Sequence, residues 1–366
     1  MIPLGFVTQV LLCLLAVVLV LSLLITGIRG VRTFRQSRRR RIAAPVRDLL
    51  LELLCTQEHE QSELLDHITR IDKRTWAALE PTVAAMLGKV SGKSREALIL
   101  LYERRGSPAH AVADLRSRNA ARRGRAAQVL GLLHHRPAVP SLCRLLDDPD
   151  REVRSAAARA LGRIGDPAAV PHLLRSLHGA RTVAPMAVTA ALASFGSAAW
   201  SRVVEGLRDP APLVRAVVVE VLGVTGAIAR TPEIVRALCE DPDTEVRIRA
   251  ARALGRLGMP DGLEPLLAGI RPGQPAALRI VAAGALGNLG AAPATPHLRA
   301  MLGDADPHVA GTAARALLRL GPAGQAALRE TADERLGARA TAQARAALAE
   351  AAVGGLRHDV LVEVTL

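Results

Sequence analysis

Apolar residues recur along the middle of the chain with a period close to 31 residues. Equivalent leucines, called here the reference leucines, stand 30 to 32 residues apart. They are Leu130, Leu161, Leu192, Leu222, Leu254, Leu286, Leu317 and Leu348. A glycine follows most of them at the fourth position, for example Gly165 and Gly258. This period is typical of a stacked-repeat solenoid, in which each unit buries its apolar face against its neighbours.

Each repeat is predicted to form two helices. The helix that carries the reference leucine is expected to begin at an Asp-Pro pair, because aspartate suits the N-cap and proline suits the first helical position. Such pairs are Asp148–Pro149, Asp209–Pro210, Asp241–Pro242 and Asp306–Pro307. The glycine after the leucine favours a left-handed helix exit. A second apolar series, at 170–177 in one repeat, has the i, i+3, i+4, i+7 spacing of a buried helical stripe.

The pattern D-P-x-x-x-V-R-x-x-A-x-x-A-L-G-x-x-G resembles HEAT repeats, especially the HEAT-like type found in phycobilin lyase subunits. Asp148–Gly165 and Asp241–Gly258 carry it most fully, and the resemblance covers roughly 114–352. Residues 178–207 depart from it, because Pro185 stands where arginine is expected. The resemblance implies an all-α fold, an α-solenoid of about seven to eight two-helix repeats. A shared fold says little about function.

Four arginines stand seven residues before a reference leucine and are predicted to be structural. Seven residues is nearly two helical turns, so these arginines share the leucine's side of the helix, where a charge needs a partner. The HEAT resemblance implies that partner, an Asp–Arg ladder between adjacent repeats. The residues assigned to the ladder are Asp148, Arg154, Asp209, Arg215, Asp241, Arg247 and Arg279.

A second set of arginines stands two residues before or after a reference leucine and points about 160° away from it. These are Arg159, Arg163, Arg252, Arg256, Arg315 and Arg319. The HEAT resemblance implies that this helix of each unit lines the concave surface. The functional interpretation is a partner-binding groove for acidic protein segments, phosphates or headgroups. The alternative interpretation is a solvated charged face.

The N-terminal stretch predicts a membrane anchor. No charged residue precedes Arg29, and residues 4–28 could cross a hydrocarbon core of about 30 Å as a helix. Seven arginines follow, namely Arg29, Arg32, Arg35, Arg38, Arg39, Arg40 and Arg41. A cleaved signal peptide would carry its positive charge before the apolar run, so we expect an uncleaved anchor. The positive-inside rule then places the N-terminus outside and the solenoid in the cytoplasm. The arginines are expected to contact anionic membrane lipids.

The predicted organisation therefore has five parts. A transmembrane anchor at 1–28 is followed by a basic linker at 29–43 and a helical membrane-proximal region at 44–113. The solenoid occupies 114–352, and a C-terminal tail occupies 353–366. Alternating valines in the tail predict either a short extended segment or a disordered one.

Composition narrows the classes of partner. The net charge of +14 allows nucleic-acid binding, but only 2% of the residues are aromatic, which leaves few rings for base stacking. No specific nucleic acid is therefore expected. The four cysteines are scattered without a CxxC pair, which fits a reducing compartment. Cys143 and Cys239 lie in or beside apolar stripes and are predicted to be small core residues.

No catalytic, metal-binding or cofactor-binding residue is predicted. The segment Gly92–Ser94 ends like a P-loop, but the preceding Gly88 is one residue too close for that motif. Glu58–Glu60 contains a His-Glu pair. The HEAT-like fold hosts a di-iron enzyme, deoxyhypusine hydroxylase, which repeats such pairs across several units, whereas this chain has one, outside the clear repeats.

These observations predict a non-enzymatic, membrane-anchored cytoplasmic scaffold that binds a partner protein, for example a membrane enzyme, through the solenoid surface. One alternative is an enzyme or lyase subunit of the phycobilin-lyase HEAT-like type. A second alternative is a protein that binds nucleic acid or anionic lipid.

Overall fold

Helices joined by short turns make up the part of the chain that the structure describes. The computed structural model describes residues 19–23, 26, 46, 48–54, 58–333 and 337–363, and no strand occurs in these ranges. The chain divides into two compact units, Met1–Ala111 and Val112–Leu366.

The first unit is a small helical bundle. Its helices are residues 48–54 (α1), α2 (Glu58–Arg70), α3 (Lys73–Leu87) and α4 (Gly92–Arg104), and α5 (Ser107–Asp114) begins in it. The rings of Trp76 and Tyr102 pack edge to face at 5.4 Å. The guanidinium of Arg105 lies 4.4 Å from the Trp76 ring centre and donates to the carbonyl oxygens of Ile68 and Thr69, at the end of α2. These contacts join α2, α3 and α4.

The second unit is a solenoid of seven helix pairs followed by α20 (Ala338–Glu363). The first helices of the pairs, called the first layer, are α6 (Ala120–Leu132), α8 (Arg151–Ile164), α10 (Pro185–Ala193), α12 (Pro212–Val224), α14 (Thr244–Leu257), α16 (Ala276–Leu289) and α18 (Pro307–Arg319). The second layer comprises α7 (Val139–Arg144), α9 (Val170–Arg175), α11 (Trp200–Glu205), α13 (Thr231–Glu240), α15 (Leu263–Gly269), α17 (Thr295–Ala300) and α19 (Pro322–Asp333). The predicted all-α solenoid is confirmed.

The apolar pattern defines the core of the solenoid. The reference leucines from Leu130 to Leu317 are at most 2% exposed, whereas Leu348 is only partly buried. The six glycines that follow a reference leucine at the fourth position have φ between 66° and 71°. Three of them, Gly165, Gly258 and Gly290, are left-handed C-caps, so the predicted exit is confirmed in those repeats. His134 takes φ 51° at the equivalent place in the first repeat.

Successive first-layer helices approach each other at a glycine. A glycine directly follows the reference leucine in five repeats, at Gly131, Gly162, Gly223, Gly255 and Gly287. A Cβ atom added at any of them would lie within 2.8 Å of an alanine in the next first-layer helix. Only a glycine leaves room for this backbone approach, so the pair Gly–Ala sets the distance between neighbouring repeats.

The first-layer helices begin two residues later than the Asp-Pro pairs at Asp148 and Asp241 predict. The N-cap of α8 is Asp150, whose carboxylate accepts hydrogen bonds from Glu152 N at 2.8 Å and Val153 N at 3.3 Å. Asp243 caps α14 in the same way, and α12 begins after Ala211. The prediction is wrong here because the carboxylates of Asp148 and Asp241 bond arginines of the preceding repeat. At Asp306, the cap of α18, it is confirmed.

The predicted membrane location is overturned. No helix within the described ranges is both long and apolar enough to span a bilayer. The predicted anchor lies outside the described residues except for 19–23 and 26. The arginines from Arg29 to Arg41 also lie outside the described residues.

The C-terminal part of the chain differs from its prediction as well. Helix α20 runs without a break from Ala338 to Glu363, so its end is helical rather than extended.

Two glycines of α16 give opposite predictions for the same substitution. Gly287→Ala should lower the free energy of unfolding by about 1–3 kcal/mol, because its Cβ would lie 2.8 Å from Ala316 Cα. Gly284→Ala should raise it by about 0.5–1 kcal/mol, because the nearest atom is 3.9 Å away and alanine favours the helix. Urea unfolding of the two variants measures both changes. Equal stabilisation by both would contradict the close approach.

Candidate partner-binding surface

An arginine and an aspartate from adjacent repeats form the most complete polar link in the solenoid. The Nε and Nη2 atoms of Arg215 donate to the Asp241 carboxylate at 2.7 and 2.9 Å. Nη1 of the same arginine donates to the carbonyl oxygens of Asp209 and Pro210 at 3.0 Å each. Arg215 therefore joins the loop before its own helix to the loop before the next first-layer helix.

The same link occurs at two further places, each of which joins a predicted ladder residue to a residue that was not predicted. Arg123 donates to both carboxylate oxygens of Asp148, at 2.7 and 2.8 Å, and Arg279 pairs with Asp304. Both missed residues carried a signal. Arg123 stands seven residues before Leu130, and Asp304 precedes the cap Asp306 by two residues, as Asp148 precedes Asp150.

Where a partner is missing from the sequence, another polar group replaces it. The next repeat offers no aspartate to Arg154, which donates instead to the Thr182 carbonyl at 3.3 Å and to the Asp148 carbonyl at 2.7 Å. Arg247 donates to the side-chain oxygen of Gln274 at 3.3 Å.

The remaining replacement lies in the repeat at 178–207, which departs from the HEAT pattern. Pro185 occupies the arginine position there, and the ring nitrogen of His178 lies 3.1 Å from the Asp209 carboxylate instead. The link between these two repeats is therefore kept with a different residue type.

Two ladder carboxylates, those of Asp148 and Asp241, are held in their charged form. Burial by itself would raise the pKa of Asp241, but hydrogen bonds from Arg215 and from the Asp243 N–H outweigh it, so the pKa lies below its ordinary value. The pKa of Asp148 is lowered in the same way, against its burial, by bonds from Arg123 and the Asp150 N–H. The links at Asp148 and Asp241 therefore each hold a paired, ionised carboxylate at neutral pH.

The opposite side of the first-layer helices carries the other predicted arginines. All six are exposed, and they define what we call the arginine face: Arg159, Arg163, Arg252, Arg256, Arg315 and Arg319. They come from three helices, α8, α14 and α18.

Half of the arginine face is committed to contacts within the solenoid. Arg256 forms an ion pair with Glu220 of α12 at 2.6 Å. Arg319 donates to the Asn288 side-chain oxygen at 3.0 Å, and Arg315 donates to the Thr312 hydroxyl at 3.1 Å.

Three arginines of the face remain uncommitted. Within the described part of the chain, the side chains of Arg159, Arg163 and Arg252 form no hydrogen bond or ion pair. Their guanidinium groups are available to a ligand.

The two cysteines differ in their surroundings. Cys143 is buried, and burial raises the pKa of its thiol to about 11. Cys239 is exposed, so its assignment to the core is wrong.

Two family models match parts of the solenoid. Two helices per repeat, stacked around buried leucines, define an α-solenoid. Residues 109–193 and 201–272 match the model described as HEAT repeats, and residues 278–304 match the model described as PBS lyase HEAT-like repeat. Residues 109–304 are therefore HEAT repeats over most of their length, as the resemblance predicted. No curated protein sequence matches the chain.

Several solved structures are similar. The complex of CpcE and CpcF of phycocyanin lyase from Nostoc sp. PCC7120 is 26% identical, with 66% of this chain and 94% of that chain covered and a TM-score of 0.31. Kap121p bound to Pho4p is 15% identical, with 84% of this chain and 41% of that chain covered and a TM-score of 0.47. Importin beta is 15% identical, with 77% and 47% covered and a TM-score of 0.45. The chain thus spans less than half the length of the last two.

Breaking one ladder link should destabilise the solenoid. Arg215→Met leaves the Asp241 carboxylate, which is 8% exposed, without its charged partner. We expect a loss of about 3 kcal/mol in the free energy of unfolding, measured by urea denaturation. Arg252→Met is the matched control and should change stability little, because the arginine is exposed and unpaired. Equal losses in both variants would contradict the assignment of Arg215.

The ladder also predicts a pH dependence. Because the folded-state pKa of Asp241 is lowered, its contribution to stability is present above the unfolded-state pKa of about 4 and is lost as pH falls through the folded-state pKa. The stability difference between the wild type and Asp241→Asn should therefore be largest near pH 7 and shrink below about pH 4. Urea unfolding across that range measures it. A difference that does not change with pH would rule out an ionised, paired Asp241.

Proposed function

We propose that the solenoid is a non-enzymatic adaptor that binds an acidic segment of a partner protein on the arginine face. The observation that carries the proposal is the presence of three exposed guanidinium groups, those of Arg159, Arg163 and Arg252, without a bond to any other described residue. A planar guanidinium with free N–H groups is suited to bidentate bonds with carboxylates.

The helices beneath these arginines support the proposal, because they hold the groups in fixed positions. Gly162 of α8 would meet Ala191 of α10 within 2.7 Å if it carried a Cβ, and Gly255 of α14 would meet Ala285 of α16 at the same distance. Helices in backbone contact move little against each other, so a ligand would lose little free energy in ordering the surface.

Carboxylates are favoured over a nucleic-acid backbone because acids interrupt the positive charge. Glu220, paired with Arg256, lies between the arginine groups of α8 and α14, and Glu152 and Glu245 are exposed in the first turns of those two helices. A phosphate backbone is attracted by a continuous basic stripe, and these acids divide the stripe into separate groups. Discrete guanidinium groups separated by acids fit a protein segment with separate acidic residues.

A comparison of two charge-matched variants tests the proposal. The first carries Glu at Arg159, Arg163 and Arg252. The control carries Glu at Arg175, Arg202 and Arg236, which are exposed on second-layer helices and whose side chains make no bond to another described residue. Both variants change the net charge equally. We expect the control to capture one stoichiometric protein from an extract of the native cells as well as the wild type does.

The first variant should bind that protein at least about tenfold more weakly, because each Glu repels an acidic segment. Affinity capture with mass spectrometry, followed by titration of the purified partner, measures the change. Equal binding by both variants would overturn the proposal. Loss of capture after nuclease treatment would assign the partner to nucleic acid instead.

A further inference from the structure

A groove lies between α6 and α8, the first two helices of the first layer. Its volume is about 450 Å³, which falls within the usual range for ligand sites of about 300–1,000 Å³. Three exposed polar side chains line it, those of Arg125 and Gln128 on α6 and Arg159 on α8. The groove therefore adjoins the arginine face and shares Arg159 with it.

Two contacts fix how the residues of α6 stand against those of α8. A Cβ atom added at Gly131 would lie 2.7 Å from Ala160 Cα, and one added at Gly124 would lie 4.0 Å from the Val153 side chain. The two residues of each pair are 29 positions apart in the chain. The helices therefore run parallel, and each residue of α6 lies level with the residue 29 positions later in α8.

This register places the two arginines of the groove close together. Arg125 lies level with residue 154, and Arg159 stands further along α8 by about 7.5 Å of helix axis. Gln128 lies level with residue 157, between the two arginines. Because the axes of packed helices are about 8–10 Å apart, both guanidinium groups can reach one ligand group in the groove.

The polar side chains of the groove are available to a ligand. Within the described ranges, the side chains of Arg125, Gln128 and Arg159 form no hydrogen bond or ion pair. Glu152 lines the same groove, yet its carboxylate pairs with neither arginine among the described contacts.

The arginine pair is particular to this place in the solenoid. Arg125 stands five residues before its reference leucine, and Arg159 stands two residues before the next one. The five following pairs of successive first-layer helices, as far as Leu317, carry other residues at these two positions. They carry Ala156 and Ala190, Ala187 and Glu220, Val217 and Arg252, Arg249 and Gly284, and Val281 and Arg315. Arginine on both helices is therefore not a consequence of the repeat pattern.

We infer that the acidic segment of the partner places one carboxylate in this groove, where Arg125 and Arg159 hold it from opposite sides and the Gln128 amide donates a further hydrogen bond. A carboxylate has about four lone-pair sites and accepts charge-assisted hydrogen bonds from several donors at once. This inference rests on the proposed function and adds Arg125 and Gln128 to its binding residues.

The groove favours a carboxylate over a phosphate group. Glu152 is exposed in the first turn of α8, within about 3 Å of the level of Arg125 along the helix axis. A phosphorylated side chain carries a charge of about −1.5 to −2 at neutral pH, so Glu152 repels it more strongly than it repels a carboxylate.

Fluorescent peptides test the inference on the full chain. In the first peptide glutamate alternates with serine, the second has glutamine in place of each glutamate, and the third has phosphoserine there. Fluorescence polarisation at about 150 mM salt should show Arg125→Gln binding the first peptide about fivefold more weakly than the wild type, because a charge-assisted hydrogen bond is lost. Arg175→Gln removes the same charge from the second layer and should bind as the wild type does.

A double variant tests whether both arginines hold the same carboxylate. Arg125→Gln combined with Arg159→Gln should weaken binding of the first peptide by less than the product of the two single losses, because groups that share a partner are coupled. Losses that simply multiply would overturn the shared carboxylate. Thermal melts should show every variant folded, since the changed side chains are exposed.

A variant of Glu152 tests the preference for a carboxylate. Glu152→Gln should raise the affinity for the phosphoserine peptide by at least about threefold and the affinity for the glutamate peptide by less. Tighter binding of the phosphoserine peptide than of the glutamate peptide by the wild type would overturn the preference and assign the groove to a phosphorylated segment.

The outcomes separate the inference from the proposed function. Undiminished binding of the first peptide by Arg125→Gln, together with loss of binding by the variant with Glu at Arg159, Arg163 and Arg252, would overturn the inference and leave the acidic partner standing. Equal binding of the first and second peptides by the wild type would overturn the inference and the recognition of acidic segments together.

Discussion

The contact between successive first-layer helices is the constraint on which the solenoid depends. A single repeat cannot bury its reference leucine alone, and burial is completed when the next repeat packs against it. The glycine that follows the leucine allows the two backbones to touch, as at Gly223, where an added Cβ would lie 2.6 Å from Ala253. The spacing of the repeats, and so the spacing of every group on their outer surface, follows from this approach.

The ladder supplies the polar part of the same constraint. Close packing brings the loops before successive helices together, where unpaired backbone carbonyls and charged side chains would be costly. Arg215 satisfies two carbonyls of its own repeat and one carboxylate of the next. Where the aspartate or arginine is absent, the His178 ring, the Thr182 carbonyl and the Gln274 side chain take its place. The link between repeats is therefore kept.

The arginine face lies on the side of the first-layer helices that is opposite to their buried leucines. Residues two positions from a buried leucine must point outward, and the stack arranges them in rows across the helices. Because the rows combine free guanidinium groups with one internal ion pair, the surface has a pattern that a ligand can recognise. The proposed function therefore rests on residues that differ between repeats, not on those that the repeats share.

Local periodicity determined much of this protein from the sequence alone. The spacing from Leu130 to Leu317 predicted the stacked helices, their buried leucines and the left-handed glycine exits, because each depends on residues within one or two helical turns. The exposure of Arg159 and Arg163 followed from the same periodicity. The apolar N-terminal stretch, in contrast, predicted a membrane location that the described helices do not support.

Tertiary structure decided the pairings between helices. Asp148 and Asp150 are both acids before the same helix, yet one bonds Arg123 of the preceding repeat and the other caps α8. Arg256 and Arg252 belong to the same predicted groove, yet only Arg256 meets Glu220, which is 36 residues away in the chain. These outcomes depend on distances between side chains of different repeats, which the period of a single helix does not contain.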